Sequence, residues 1–194
     1  MTLHEENYAL LAYVFWHWKQ AGVTEVEYET RQRNFHAALT AAPPFGFVQS
    51  FSVAISQAAW AANGGSAYED WYLVQDFTAL GLLNEAAVSA SRTAPHDAAA
   101  AVVAGGTAGV YGLRSGNILS NPQFAYWFNK PEGMSYRELD AQLAPVVEQT
   151  QSALWIRQMT LGPALEFCLQ ADASVTLPPA FKPQTMPLRL IWPD

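Results

Sequence analysis

Lys19-Gln20-Ala21-Gly22-Val23-Thr24-Glu25-Val26-Glu27-Tyr28 and, 111 positions further on, Lys130-Pro131-Glu132-Gly133-Met134-Ser135-Tyr136-Arg137-Glu138-Leu139 decide how this chain is read. Each stretch follows an aromatic run, Tyr8 to Trp18 in the first case and Phe124 to Phe128 in the second. Such runs form buried strands. Each stretch then turns at a glycine and offers a hydroxyl residue three positions before a glutamate, Thr24 with Glu27 and Ser135 with Glu138. That spacing is a capping box, in which hydroxyl and carboxylate satisfy backbone N–H groups left without partners at a helix start. Val23 with Tyr28, and Met134 with Leu139, sit where a hydrophobic staple joins the incoming chain to the first helical turn. Lysine, glycine, cap, glutamate and both staple positions recur at one offset, which points to a duplicated strand–helix unit.

Working outward, the first helix is predicted to run towards Leu39 and stop before Pro43-Pro44, and the second to continue to Val147 through Pro145. A hairpin is expected after each. Gly46 to Ile55 alternates, with Phe47, Phe51, Val53 and Ile55 on one side, turns at Asn63-Gly64-Gly65 and returns through Tyr68 to Gln75. Ala153 to Leu161 turns at Gly162-Pro163 and returns through Ala164 to Leu169. Between the halves, Phe77 to Ala90 and the Ala-rich His96 to Val110 read as helical. Gly105 and Gly106 each weaken the latter by roughly 1 kcal/mol relative to Ala. The tail with Pro178, Pro179, Pro183 and Pro187 reads as loop, and Leu188 to Trp192 as a last strand. The expected fold class is α+β. Two ferredoxin-like β-α-β-β repeats are expected, residues 1–115 with the connecting helices and residues 116–194. Their likeness to the dimeric α+β barrel superfamily implies that they form a pseudo-dimeric α+β barrel with antiparallel sheets.

The composition fits such a core and excludes several classes. Of 194 residues, 51% are hydrophobic and 13% aromatic, too many for a disordered chain. Only 14% are charged, so part of the surface is expected to be hidden by homo-oligomer formation. A net charge of −7, with ten Lys and Arg scattered along the chain, argues against nucleic acid as a partner. Cys168 is the single cysteine, which rules out an intramolecular disulfide and a cysteine metal cluster. No two histidines have metal-ligand spacing, so no metal site is expected. Gly105, Gly106, Gly109 and Gly112 lack the context of a phosphate loop, and no Gly-x-Ser-x-Gly marks a serine hydrolase. His4, Glu5 and Glu6 do not resemble a signal peptide, and no apolar run is long enough to span a bilayer. A cytoplasmic protein without membrane contact is the expectation.

Strand–helix units with aromatic strands, used twice, resemble the dimeric α+β barrel superfamily. Lys130 to Leu139, followed by Leu143-Ala144-Pro145-Val146-Val147, is similar to the EthD-type branch of that superfamily. The resemblance implies two facing sheets enclosing a pocket for a small-molecule ligand. It also implies chemistry of a cofactor-independent monooxygenase or isomerase, or an accessory role. Where that branch often carries histidine, this chain has Leu143, and Gln32 in its first half. Some relatives bind haem, for which His17 is the candidate ligand here; otherwise no cofactor is expected. A non-catalytic oligomerising domain is the reading from a different class, and the residues leave open whether the chain is an enzyme.

The candidate catalytic residues are His17 and Arg157, and the candidate ligand-binding residues are Tyr13, Trp155, Glu166, Asp70 and Tyr72. A two-residue loop at Gly162-Pro163 sets Arg157 across from Cys168 and diagonal to Glu166. Trp155, Arg157, Met159, Glu166 and Cys168 then share a face turned into the barrel. There Arg157 either orients an anionic or carbonyl-bearing ligand or pairs with Glu166. His17 shares its strand face with Tyr13 and Phe15. It is a candidate general base, or a hydrogen-bonded core residue. Asp70 and Tyr72 alternate on the returning strand, and either line the other side of the pocket or form an edge surface. His36 reads as an exposed or half-buried helical residue, His96 as a helix-start residue and Cys168 as an inert buried thiol.

Overall fold

Among the described residues, nine strands join in one antiparallel sheet in the order β8-β5-β7-β6-β4-β1-β3-β2-β9. They are β1 (Leu11–Lys19), β2 (Phe47–Ile55), β3 (Ala67–Val74), β4 (Val103–Gly116), β5 (Phe124–Phe128), β6 (Ala153–Thr160), β7 (Phe167–Ala171), β8 (Gln184–Pro187) and β9 (Arg189–Trp192). The computed structural model describes residues 10–56, 60, 67–119, 121–160 and 164–193. Tyr8 and the two expected turns, Asn63-Gly64-Gly65 and Gly162-Pro163, lie outside the described residues. The strand order β4-β1-β3-β2 recurs as β8-β5-β7-β6, and pairing of β4 with β6 makes the sheet continuous. At its two outer edges stand β8 and β9, which only Leu188 separates in the chain. One extended segment therefore bridges both edges, and the sheet is a nearly closed barrel.

Four α-helices cover its outer face: α1 (Glu25–Ala41), α2 (Phe77–Ala87), α3 (Thr93–Ala100) and α4 (Tyr136–Thr150). Both quoted turns build what their residues dictate. Thr24 Oγ1 accepts from Glu27 N and Ser135 Oγ from Glu138 N, each at 3.2 Å. Only Ser135 has the reciprocal bond, from its N–H to the Glu138 carboxylate at 2.8 Å; the Glu27 carboxylate instead accepts from Arg31. Such a cap contributes about 1 kcal/mol. Gly22 and Gly133 take positive φ values of 87° and 75°, which a side chain disfavours. Lys19 Nζ donates to Val23 O and Lys130 Nζ to Met134 O, so even the two lysines do the same work.

Alternation along the strands sorts side chains onto two faces. The inner face carries Trp16, Trp71, Trp127 and Trp155, all fully buried, with Tyr111, Phe51, Val53 and Cys168. The tryptophan rings meet edge-on or tilted, with Trp16 and Trp127 centroids 5.4 Å apart and Trp71 and Trp155 5.5 Å apart, while Phe51 stacks on Trp71. The outer face of β5 to β7 packs on Leu139, Leu143 and Val147 of α4. On the other half, Leu11, Tyr72, Val74 and Val110 face Phe35 and Leu39 of α1 and Ala79 and Leu83 of α2.

Three expectations are corrected. Residues 103–110 extend as part of β4 rather than continuing the helix that begins near His96, because α3 ends at Ala100. Gly105 and Gly106 serve close approach here: a Cβ on Gly105 would lie 2.7 Å from the Trp18 ring, and one on Gly106 2.5 Å from Phe15. The proline-rich tail is not all loop, since Gln184–Pro187 forms β8 on β5. Finally, a register shift between Phe47 and Gln49 sends Phe47 to the helix side, away from Phe51, Val53 and Ile55.

Candidate functional site

The outer face of β1 and β3 carries Tyr13, Phe15 and His17 beside Asp70 and Tyr72, because Phe15 pairs with Asp70 and Tyr13 with Tyr72 across the ladder. Helix α1 lowers Tyr28, Gln32, Phe35, His36 and Leu39 onto them, all buried. Between this floor and the helices α1, α2 and α3 lies a cavity of about 680 Å³. That is within the range of sites for drug-sized ligands. Its walls are mostly aromatic and aliphatic. Its polar lining comes from Tyr13, Gln32, Asp70, Tyr72, Asn84 and His96, with neither Lys nor Arg among the described lining residues.

Asp70 is the centre of the floor. His17 Nε2 lies 3.2 Å from Oδ2 and His36 Nε2 3.3 Å from Oδ1, with both imidazoles fully buried. Tyr72 donates to Oδ2 at 3.0 Å. Behind the imidazoles, His17 Nδ1 meets the Tyr28 hydroxyl at 2.5 Å and His36 Nδ1 the Ser50 hydroxyl at 2.7 Å. At these distances both imidazoles are charge partners of Asp70, one on each carboxylate oxygen. Burial opposes ionisation of Asp70, yet the positive potential of His17 and His36 outweighs it and holds the carboxyl well below the usual carboxylate range. Burial, reinforced by the Asp70 charge, moves the Tyr13 and Tyr72 phenols upward. The floor therefore pairs an ionised acceptor with phenols that keep their protons.

Four sequence-predicted residues thus converge: His17, Tyr13, Asp70 and Tyr72. Three do not. Trp155 is buried on the inner face, its Nε1 donating to Gln170 at 3.0 Å. Arg157 is exposed and donates to Ala164 O, and its backbone N–H pairs with Glu166 O. Trp155, not Arg157, stands across from Cys168, so the connection between β6 and β7 is longer than the two-residue loop expected. Glu166 turns away from the barrel interior and accepts from the Tyr136 hydroxyl at 2.7 Å and from Lys130 N. The location of the cavity is corrected as well. It lies between sheet and helices, whereas the inner face carries the packed tryptophan cluster.

Sequence reasoning missed His36 and His96. His36 is fully buried rather than exposed or half-buried, and His96 borders the cavity. A signal for His36 exists in the sequence. Tyr28, Gln32, Phe35, His36 and Leu39 fall on one helical stripe, and polar residues inside an apolar stripe must find partners beneath it. Among the described residues no group of three or more His, Cys, Asp or Glu side chains is arranged to hold a metal ion. Nor does His17 fit as a haem ligand. Both ring nitrogens face protein groups, and its two sides stack on Phe15 and Tyr68 at 4.9 and 5.7 Å. Among the described residues no helix is long and apolar enough to cross a membrane.

No protein-family model matches the sequence, and no curated protein matches it. Solved structures do match in shape. An anthrone oxidase-like protein has a TM-score of 0.52 at 12% identity, over 86% of this chain and 74% of that one. A candidate monooxygenase from Lactobacillus acidophilus NCFM has a TM-score of 0.59 at 8% identity, over 94% of each chain. A candidate chlorite dismutase has a TM-score of 0.52 at 11% identity, over 93% and 94%. The nearly closed antiparallel sheet of this chain, with helices on its outer face, is the fold it shares with these neighbours. At such identities the likeness establishes the fold alone.

Proposed function

We propose that this chain is a small-molecule enzyme that removes a proton from a flat, largely apolar ring compound by acid–base chemistry of its own side chains. The observation that carries the reading is Asp70. It is a carboxylate held ionised by its two imidazole partners, and it borders an apolar cavity of about 680 Å³ together with the phenols of Tyr13 and Tyr72. Asp70 is ionised and Tyr13 keeps its proton, so the floor offers a carboxylate that accepts beside a phenol that donates. In a ketone with an acidic C–H, Asp70 takes the proton and Tyr13 steadies the enolate oxygen. His17 and His36 spread the charge of the cluster.

The names of two structural neighbours, an anthrone oxidase-like protein and a candidate monooxygenase, favour oxygenation as the step after deprotonation. For an anthrone the balance is simple. The ring methylene loses two hydrogens and gains one oxygen atom from dioxygen, giving a quinone and one water. The test uses anthrone itself. Exchange of its methylene hydrogens in D2O, followed by NMR, is accelerated above the buffer rate, and in air anthraquinone forms. Asp70→Asn abolishes both, and Tyr13→Phe slows both while keeping the ring. Exchange at the buffer rate with the parent protein, or full activity in Asp70→Asn, refutes the reading.

The matched turns and repeated strand order support a further part of it: residues 1–115 and 116–194 derive from one duplicated unit of the EthD-like kind. A second reading, a non-catalytic domain that assembles as a homo-oligomer, draws on Phe45 and Val26, which are 80% and 76% exposed. Light scattering across a concentration series separates a monomer from an assembly.

A further inference from the structure

The geometry points to a second polar pole at the helical end of the cavity, formed by His96 and Asn84, which selects ligands bearing a hydrogen-bonding group at each end. This inference rests on the cavity reading above and names the class of ligand that the cavity takes. The two poles come from different layers. Asp70, Tyr13 and Tyr72 belong to the sheet, whereas Asn84 belongs to α2 and His96 to α3. The Phe35 ring stands between them, 5.4 Å from His96 and 6.3 Å from Tyr72, with Leu80, Leu83 and Val110 on the walls. His96 Nδ1 lies 3.1 Å from Asp97 Oδ1, and this pairing presents Nε2 as the ring nitrogen for a ligand. The His96 side chain is one third exposed, so it can meet a ligand without the fold depending on it.

Charge narrows the class further. Among the described lining residues Asp70 is the one carboxylate and no Lys or Arg is present. His17 and His36 are already engaged by Asp70, so an anion there would meet the carboxylate with no further Lys or Arg on the described lining to pair with it. The ligand is therefore a neutral aromatic with two opposed hydroxyl or keto groups. A ligand with one polar end makes its hydrogen bond at one pole and forgoes the other.

Two fluorescent phenols of equal ring size test this, 2-naphthol with one hydroxyl and 2,6-dihydroxynaphthalene with two at opposite ends. The parent protein is expected to bind the diol roughly tenfold more tightly, the worth of one hydrogen bond. His96→Phe should bring the two affinities together without weakening 2-naphthol, and His96→Gln, which keeps polar atoms, should restore part of the preference. Equal affinities in the parent, or a preference that survives His96→Phe, overturn the second pole and leave the Asp70 reading standing. Failure of both phenols to bind the parent overturns the cavity reading and this inference with it.

Discussion

Asp70→Asn removes a charge that two buried imidazoles and a phenol converge on, and the structure sets the size of the consequence. The Asp70 side chain is 2% exposed and both imidazoles are 0% exposed, so water cannot replace what is lost. Taking away one partner of a buried charged group costs about 3 kcal/mol, mainly because the remaining groups stay buried and uncompensated. For a chain of this length each kcal/mol moves the melting temperature by roughly 2–4 °C, so the variant should melt roughly 6–12 °C below the parent at neutral pH. The pH dependence gives a second reading. The folded carboxyl is held well below its ordinary value, with burial opposing and the two histidines prevailing. Its stabilisation is therefore complete above the unfolded-chain value of about 3.9 and drains away as pH falls below it towards the folded value. Asn does not titrate, so the gap between parent and variant should narrow on acidification below about pH 4. Thermal melts followed by circular dichroism across that range measure both effects. A variant melting within about 2 °C of the parent at neutral pH, or a gap that stays constant through acid, would show that the two imidazoles do not hold this charge.

Two other positions carry predictions of a different kind. Burial pushes Glu69, on the inner face, up to about 7, against the hydrogen bonds donated by Trp71 and Trp16. A raised carboxyl makes stability fall as pH climbs from the ordinary value near 4.5 to about 7. Glu69→Gln should flatten that decline and melt above the parent at about pH 8, with the parent's tryptophan fluorescence changing about the same midpoint; a parallel decline in the variant would falsify the assignment. Gly106→Ala places a Cβ 2.5 Å from Phe15 and 2.7 Å from the Trp16 carbonyl, which should cost about 2 kcal/mol in urea unfolding and weaken naphthol binding, since Phe15 lines the cavity. Gly81→Ala meets nothing within 4 Å on α2 and should instead stabilise by up to about 1 kcal/mol, so equal losses at both glycines would refute the close-approach argument.

Much of the architecture was legible because its signals are local. Thr24 and Ser135 cap the helices their neighbours announce, and the glycine turns before them take the positive φ that only glycine accepts readily. Period-two alternation was equally readable, and it placed Tyr13, Phe15 and His17 on one face and Trp16 and Trp18 on the other. What failed depended on partners distant in the chain. Gly105 and Gly106 look like flaws in an Ala-rich helix until the rings of Trp18 and Phe15, ninety residues away in sequence, are laid against them. Pro187 looks like loop until Phe124 supplies the strand it pairs with at the sheet edge. Arg157 and Glu166 were assigned to a pocket on the inner face, but tryptophans fill that face and Glu166 is drawn outward to Tyr136 on α4.

By itself, then, the amino-acid order determined which segments turn, cap and alternate, and hence that Tyr13 shares a strand face with His17, and Asp70 one with Tyr72. The pairing of β1 with β3 that joins the two sets, and their outward direction, belong to the tertiary structure. Only the tertiary structure decided which side of the sheet holds the cavity, and that His36 comes down from α1 to meet Asp70. The reason is one of range. Caps and strand periods are set by bonds and contacts within a few residues, whereas a cavity exists only where elements from separate parts of the chain fail to fill the space between them.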